Sequence, residues 1–325
     1  MVRWGIIGLG NIAARFSKSL KSSKNGVLYA VASRKKETGE AYEALYPGCI
    51  SYLSYDEILE DENVDAIYIA LPHGMHMEWA IKALRHKKAV LCEKPSAVNE
   101  EEIRQVVAEA RENQTFFMEA MKSRFGVCMK KIKEELEEGA IGEIKSVSAN
   151  FCGHLDLHSI KKESYYLDKK QGGTLLDMGP YPVAFFMDLL GDKVERVESG
   201  ILVDNNGIDY HINGTMFYQS GQTAFFEVCF DERKEREAVI EGTKGSMRIP
   251  YYYRATEYTI TGNDKKTRTE SHPFLVDDMF DEIEEVHKCL KAGLMESSRF
   301  TWQDSITEMH LLDKIRSEGT LMKAK

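Results

Sequence analysis

Two stretches of this chain carry side chains able to bind and move protons. The first is Glu93-Lys94-Pro95-Ser96, which emerges from the apolar run Ala89-Val90-Leu91-Cys92. Proline fixes its own φ and restricts the residue before it, so Lys94 offers an ammonium group with little backbone freedom. The second is Gly172-Gly173-Thr174-Leu175-Leu176-Asp177-Met178-Gly179-Pro180-Tyr181, where Asp177 and Tyr181 stand four residues apart. If that stretch is helical, a carboxylate and a phenol lie on one face and point into the same space. The bland alternatives are an ordinary surface lysine after a strand, and a helix-start Asp beside an amphipathic core Tyr.

The elements that must position these groups begin at the N-terminus. An apolar strand over residues 2–7 runs into Gly8-Leu9-Gly10-Asn11-Ile12-Ala13 at the head of a helix. Gly8 permits a tight turn, Gly10 lets the backbone approach a pyrophosphate, and Ala13 is the third small position, where helix packs on strand. Asn11 and Ile12 open the helix, whose free amides and positive dipole end suit phosphates. Such a pattern is weak alone, and gains weight from the legible strand before it and helix after it. At the end of the second strand NAD-binding chains place an acid against the ribose 2′-hydroxyl. Here the residues are Ser33-Arg34-Lys35-Lys36, a hydroxyl and three cations. Ser33 and Arg34 therefore suit the 2′-phosphate of NADP, with NAD the alternative, and Lys36 reads as a solvated helix start.

From residue 1 to 121 short strands (2–7, 27–33, 50–53, 65–71, 89–92, 115–121) alternate with helices (11–22, 35–45, 55–60, 75–86, 100–112). That rhythm predicts an α/β, doubly wound parallel sheet of Rossmann type, with ligands outside the carboxyl ends of its strands. Lys94 then projects beside the nicotinamide end of the cofactor. Beyond residue 122 come a helix (127–138), strands (143–153, 194–203, 210–219, 222–230, 236–241, 246–250) and helices (276–291, 303–317). They predict a second, α+β domain over 122–325 with a large, mostly antiparallel open sheet.

The 325 residues exceed the size at which one core keeps growing, in keeping with two domains. A composition of 43% apolar and 29% charged residues excludes disorder, and no apolar run is long enough to span a bilayer. The opening residues read as a strand rather than a signal peptide, which favours the cytoplasm. A net charge of −9 argues against a nucleic-acid partner. The six cysteines form no Cys-x-x-Cys pair, so no metal site is expected from them and they read as reduced, buried hydrophobes. His154 and His158 lie four apart without convincing further ligands; His154 is a candidate to line a substrate pocket instead.

Taken in order, Gly8-Leu9-Gly10-Asn11-Ile12-Ala13, Ala70-Leu71-Pro72-His73 with His76, Glu93-Lys94-Pro95, Gly172-Gly173 leading to Asp177 and Tyr181, and Gly242-Thr243-Lys244-Gly245-Ser246 span nearly the whole chain. This set resembles the glucose-fructose oxidoreductase and inositol dehydrogenase family, in its branch of dimeric dihydrodiol dehydrogenases and related sugar oxidoreductases. Many relatives carry His where this chain has Tyr181, and the tyrosine turns it toward that branch. The resemblance implies a six-stranded C-terminal sheet whose open face mediates homodimerisation, and an active site in a cleft between the domains. It also implies that Lys94, Asp177 and Tyr181 are catalytic and touch substrate. Leu71, Pro72, His76, Glu93, Lys94 and Arg124 match positions at which the cofactor is held.

With that help the chemistry is hydride transfer between nicotinamide and a hydroxyl or carbonyl carbon of a sugar, cyclic polyol or small diol. Tyr181 is the first choice for the accompanying proton and Lys94 the rival. A phenol ionises near pH 10, so work near pH 7 needs about 4 kcal/mol of preferential stabilisation of the phenolate, for which a nearby cation is suited. Asp177 orients the substrate hydroxyl or holds Lys94. Two other classes stay open: a glycosidase that keeps its nicotinamide tightly bound, and a non-enzymatic metabolite sensor.

Overall fold

The computed structural model describes residues 1–155, 160 and 164–323. Its first sheet is built from β1 (Val2–Ile7), β2 (Gly26–Ala32), β3 (Ile50–Tyr52), β4 (Ala66–Ile69), β5 (Ala89–Glu93) and β6 (Phe117–Ala120). Five helices connect them: α1 (Asn11–Leu20), α2 (Lys36–Leu45), α3 (Tyr55–Glu60), α4 (His76–Arg85) and α5 (Glu100–Glu112). The strands are all parallel, in the order β3-β2-β1-β4-β5-β6. The order reverses between β1 and β4, which is where a doubly wound sheet opens a crevice at its carboxyl edge. Near-continuous apolar runs such as Ala66–Ile69, buried throughout, reflect helices on both faces. α5 starts where Asn99 accepts from the Glu102 amide, and Ile103, Val106, Val107 and Ala110 bury one face.

The remaining elements are α6 (Val127–Glu137), β7 (Ile144–Cys152), α7 (Thr174–Met178), α8 (Pro180–Leu190), β8 (Val194–Val203), β9 (Asp209–Tyr218), β10 (Thr223–Cys229), β11 (Glu237–Gly242), β12 (Gly245–Pro250), β13 (Glu257–Gly262), β14 (Thr267–Ser271), α9 (Phe280–Lys291), α10 (Trp302–Glu318) and β15 (Thr320–Lys323). The second sheet runs β14-β13-β12-β11-β7-β10-β9-β8-β15. It is mostly antiparallel, with parallel pairs at β7/β10 and β8/β15. Nine strands replace the six that the resemblance implied. The six predicted strands are all present; β13, β14 and β15 add to the edges. β14 reads Thr-Arg-Thr-Glu-Ser and is mostly exposed, so no apolar alternation marks it.

The chain divides into two compact units, residues 1–121 with 275–306, and 122–274 with 307–325. The sequence-based assignment of everything after 122 to the second domain is therefore corrected for 275–306. The reason is α9, whose apolar stripe Ile283 and Val286 is buried in the first unit. There the Trp4 indole donates to His287 Nε2 at 2.8 Å, Ser19 to Asp277 at 2.9 Å, and Arg15 pairs with Asp278.

Candidate active site

In the first unit Gly8 sits at φ +89°, and a Cβ there would stand 2.5 Å from the Ala70 carbonyl oxygen. Only glycine fits without strain. At Gly10, by contrast, an added Cβ meets nothing within 4 Å. Gly10 ends β1's turn in extended conformation and precedes the first turn of α1, where Asn11 is exposed, Ile12 half-buried and Ala13 fully buried. Bare backbone in open space at a helix N-terminus fits a pyrophosphate. At the end of β2 the Ser33 hydroxyl accepts the Lys35 amide at 3.1 Å, fixing the turn from which Arg34 extends into solvent. Lys36 pairs with Glu40 at 3.5 Å, in keeping with a solvated helix start.

The loop holding Lys94 is braced from three sides. Tyr68 on β4 donates its phenol proton to Glu93, and burial raises the Tyr68 pKa well above its ordinary value, with the Glu93 charge adding to it. The Ser96 amide donates to Glu119 at 2.9 Å, and burial raises the Glu119 carboxyl above the usual range. His76, fully buried, sets Nδ1 2.7 Å from the Pro95 carbonyl oxygen and Nε2 2.7 Å from that of Leu71. Burial first, and then the Lys94 charge, hold the imidazole pKa below its ordinary value. A neutral ring donates from one nitrogen only, and both face main chain. His76 thus lies between the Leu71-Pro72 loop and the Lys94 loop and donates to one of their two carbonyl oxygens. Tyr68 and Glu119 escaped the sequence reading, because each acts on the loop from another strand.

In the second unit α7 and α8 follow one helical path. Gly179 has αR backbone (φ −56°, ψ −35°), and Pro180 and Pro182 lack the amides that would make the hydrogen bonding continuous. Asp177, half-buried, and Tyr181, 8% exposed, therefore lie one turn apart as the spacing predicts. Asp209 on β9 sets the start of this path: its carboxylate accepts the Leu175 amide at 2.7 Å. Burial raises its pKa. Gly173, at φ +84°, leaves room for that carboxylate, where a Cβ would collide with it. No local signal marks Asp209, since it approaches from a different strand.

Tyr181 is walled by rings. Its centroid lies 5.0 Å from Phe151 on β7 and 5.6 Å from Tyr253, and those two rings stack at 4.4 Å. The Arg236 guanidinium lies over Phe151 at 4.5 Å and donates through Nε to the Cys152 carbonyl oxygen at 3.0 Å. This ring wall was not predicted, because its members come from β7, β11's approach and a turn after β12. Arg124 is a brace: its Nη1 donates to the Ala184 carbonyl oxygen at 2.9 Å and lies 3.4 Å from Asp188. His154 is exposed, with Nδ1 3.5 Å from the Asp231 carbonyl oxygen, and His158 lies outside the described residues.

Comparison with known proteins agrees with this architecture. Residues 2–121 match the model of an oxidoreductase family with an NAD-binding Rossmann fold, and residues 129–248 match the GFO/IDH/MocA C-terminal domain. The chain is 33% identical over 327 residues to a mouse trans-1,2-dihydrobenzene-1,2-diol dehydrogenase, covering 97% of this chain and 96% of that one. The zebrafish (Danio rerio) enzyme of the same name is 30% identical over 328 residues, 98% and 96% of the two chains. Among solved structures, a 3-ketoreductase from Actinomadura kijaniata in complex with NADP and TDP-benzene superposes with a TM-score of 0.90 at 26% identity, covering 100% and 99%. The chain belongs to the GFO/IDH/MocA family of nicotinamide-dependent oxidoreductases. Within it, the chain falls in the dihydrodiol dehydrogenase-like branch.

Proposed function

We propose that this chain is an NADP-dependent oxidoreductase acting on a hydroxyl or carbonyl carbon of a sugar, cyclic polyol or small diol, with Tyr181 and Lys94 as the proton-transfer pair. The observation that carries the reading is Tyr181, one helical turn from Asp177 and walled by Phe151 and Tyr253. Ring faces suit the apolar side of a sugar or diol ring, while the phenol and carboxylate serve its hydroxyls. Bare Gly10 and the α1 N-terminus, with Asn11 and Ile12, hold the pyrophosphate; Ser33 and Arg34 hold the 2′-phosphate. Leu71, Pro72, Glu93 and Lys94 flank the nicotinamide end, with Arg124 as a further contact. The bound nicotinamide supplies the hydride chemistry. Tyr181 gives its phenol proton to the substrate oxygen in reduction and takes it back in oxidation. The Lys94 ammonium favours the phenolate, and Asp177 orients the hydroxyl.

NADP, rather than NAD, is supported by Arg34 standing exposed after Ser33 with no acid at the strand end, and by the NADP complex of the A. kijaniata relative. The deciding experiment is a panel of sugars, polyols and dihydrodiols assayed with NADP and with NAD. The expected result is turnover with NADP, a fall in kcat of about 10²- to 10⁴-fold in Tyr181→Phe, and NADP binding about 10- to 100-fold weaker in Arg34→Ala. Tighter binding of NAD overturns the cofactor assignment. Full turnover in Tyr181→Phe overturns the proton role, and Lys94→Met then tests the rival donor. A homodimer formed through the open face of the nine-stranded sheet, and a cytoplasmic location in keeping with six free cysteines, complete the proposal.

A further inference from the structure

On the face of the second sheet opposite Tyr181, a cluster unused by this chemistry joins three strands. Along β10 and its continuation, Glu227, Cys229 and Asp231 alternate onto one side. Cys229 is in register with Cys152 on β7 and with His211 on β9, so the three side chains stand abreast on one face. Both cysteines are buried; the Cys152 thiol donates to the Glu227 carbonyl oxygen at 3.9 Å and the Cys229 thiol to that of Glu232 at 3.6 Å. The ligand atoms of His211, Cys229 and Asp231 all lie within 4.8 Å of one another. Nδ1 of His211 is 2.9 Å and 3.2 Å from the two Asp231 oxygens. Its Nε2 is 3.0 Å from Glu227, and Lys234 holds Glu227 at 2.8 and 2.9 Å.

We propose that His211, Cys229 and Asp231 hold a zinc ion, with a water as the fourth ligand of the tetrahedron. One thiolate, one imidazole and one carboxylate with a water are a zinc donor set, and zinc prefers such a tetrahedron to the oxygen-rich shells of calcium or magnesium. Bonds of about 2.0–2.1 Å to nitrogen and oxygen put those two atoms about 3.3 Å apart in a tetrahedron. The 3.2 Å separation of Nδ1 from one Asp231 oxygen is close to that. Glu227 supplies what a metal-bound histidine needs on its far nitrogen, a carboxylate that fixes the tautomer and turns Nδ1 toward the ion. Lys234 holds that carboxylate in turn. Binding releases the Cys229 thiol proton to solvent and changes no oxidation state. The sequence hid the site because its ligands come from β9 and from β10 with its continuation, with no short Cys-Cys or His-His spacing to mark it.

The test is zinc content by elemental analysis of untagged, full-length protein after dialysis in metal-free buffer, with cobalt(II) exchanged for zinc as a spectroscopic probe. The expected result is one zinc per chain, and thiolate-to-cobalt charge-transfer absorption that disappears in Cys229→Ser and His211→Ala. Because a cysteine variant can fail to fold, Glu227→Gln serves as the second variant. It leaves the ligands in place and should weaken zinc binding about 10- to 100-fold. Substoichiometric zinc without cobalt-thiolate absorption, absorption that persists in the folded Cys229→Ser protein, or a Cys152–Cys229 disulfide in the metal-free native protein overturns the proposal.

Discussion

Gly8 and Gly10 look equivalent as letters, yet they answer to different forces. Gly8 is required by the fold, since its φ of +89° and the Ala70 oxygen 2.5 Å from any Cβ act on the protein whether or not a ligand is bound. Gly10 is required by what approaches it. Gly8→Ala should therefore cost about 1–3 kcal/mol of stability. Gly10→Ala should melt within a few tenths of a kcal/mol of wild type but lose the rise in Tm that NADP gives, because only binding to the folded state produces that rise. Thermal melts with and without NADP check both; an undiminished NADP shift in Gly10→Ala would remove the glycine from the phosphate site. His76 makes a second residue-scale prediction. Its folded pKa is depressed by burial and by Lys94, so above the unfolded value of about 6.5 both states are neutral and its contribution to stability is intact. As pH falls through that value the unfolded chain takes up a proton that the folded ring refuses, and stability is lost. Wild type should lose more stability than His76→Asn between pH 8 and 5.5 in urea titrations; parallel losses would sink the assignment.

At the scale of elements, the α7–α8 path shows how much of the site spacing alone revealed. The four-residue interval between Asp177 and Tyr181 is readable because a helix turn is a local rule, and Gly179 keeps αR backbone where the two prolines interrupt the hydrogen bonds. What sets the path in place is not local. Asp209 lies 34 residues from the Leu175 amide it accepts, and Tyr253 reaches Tyr181 from a turn of a different hairpin. Contacts of this kind depend on strand order, which no interval in the sequence encodes. The same holds for the Lys94 loop, whose motif is legible while Tyr68 and Glu119 behind it are not. Asp209→Ala leaves the Leu175 amide without its acceptor and should cost about 1–3 kcal/mol, with a fall in kcat as Asp177 and Tyr181 lose their anchorage. Asp209→Asn keeps an acceptor oxygen and should recover most of both. If Asp209→Ala lowers stability and leaves kcat untouched, the residue supports the fold alone.

Across the whole molecule, strong period-two patterns announced the six inner strands of the second sheet, and weak ones concealed its edges. β14 carries no apolar alternation, and β15 is four residues long. The return of 275–306 to the first unit was hidden for a different reason: an amphipathic helix states which face it buries, not what it buries it against. One face of the nine-stranded sheet bears α7 and α8. The opposite face presents Phe225, 45% exposed, with Thr215 in register beside it and Phe217 two residues further along β9 beneath the Arg196 guanidinium. Such a face is where two copies are proposed to meet, and a twofold interface uses every residue twice. Charge introduced at Phe225 would then face its own copy or an apolar surface, at a cost of about 2 kcal/mol or more for each copy. Sedimentation equilibrium should find wild type dimeric and Phe225→Lys monomeric at the same concentration, with circular dichroism unchanged because the side chain lies outside the core. A monomeric wild type, or a Phe225→Lys dimer of undiminished affinity, would place the dimer elsewhere or dispense with it.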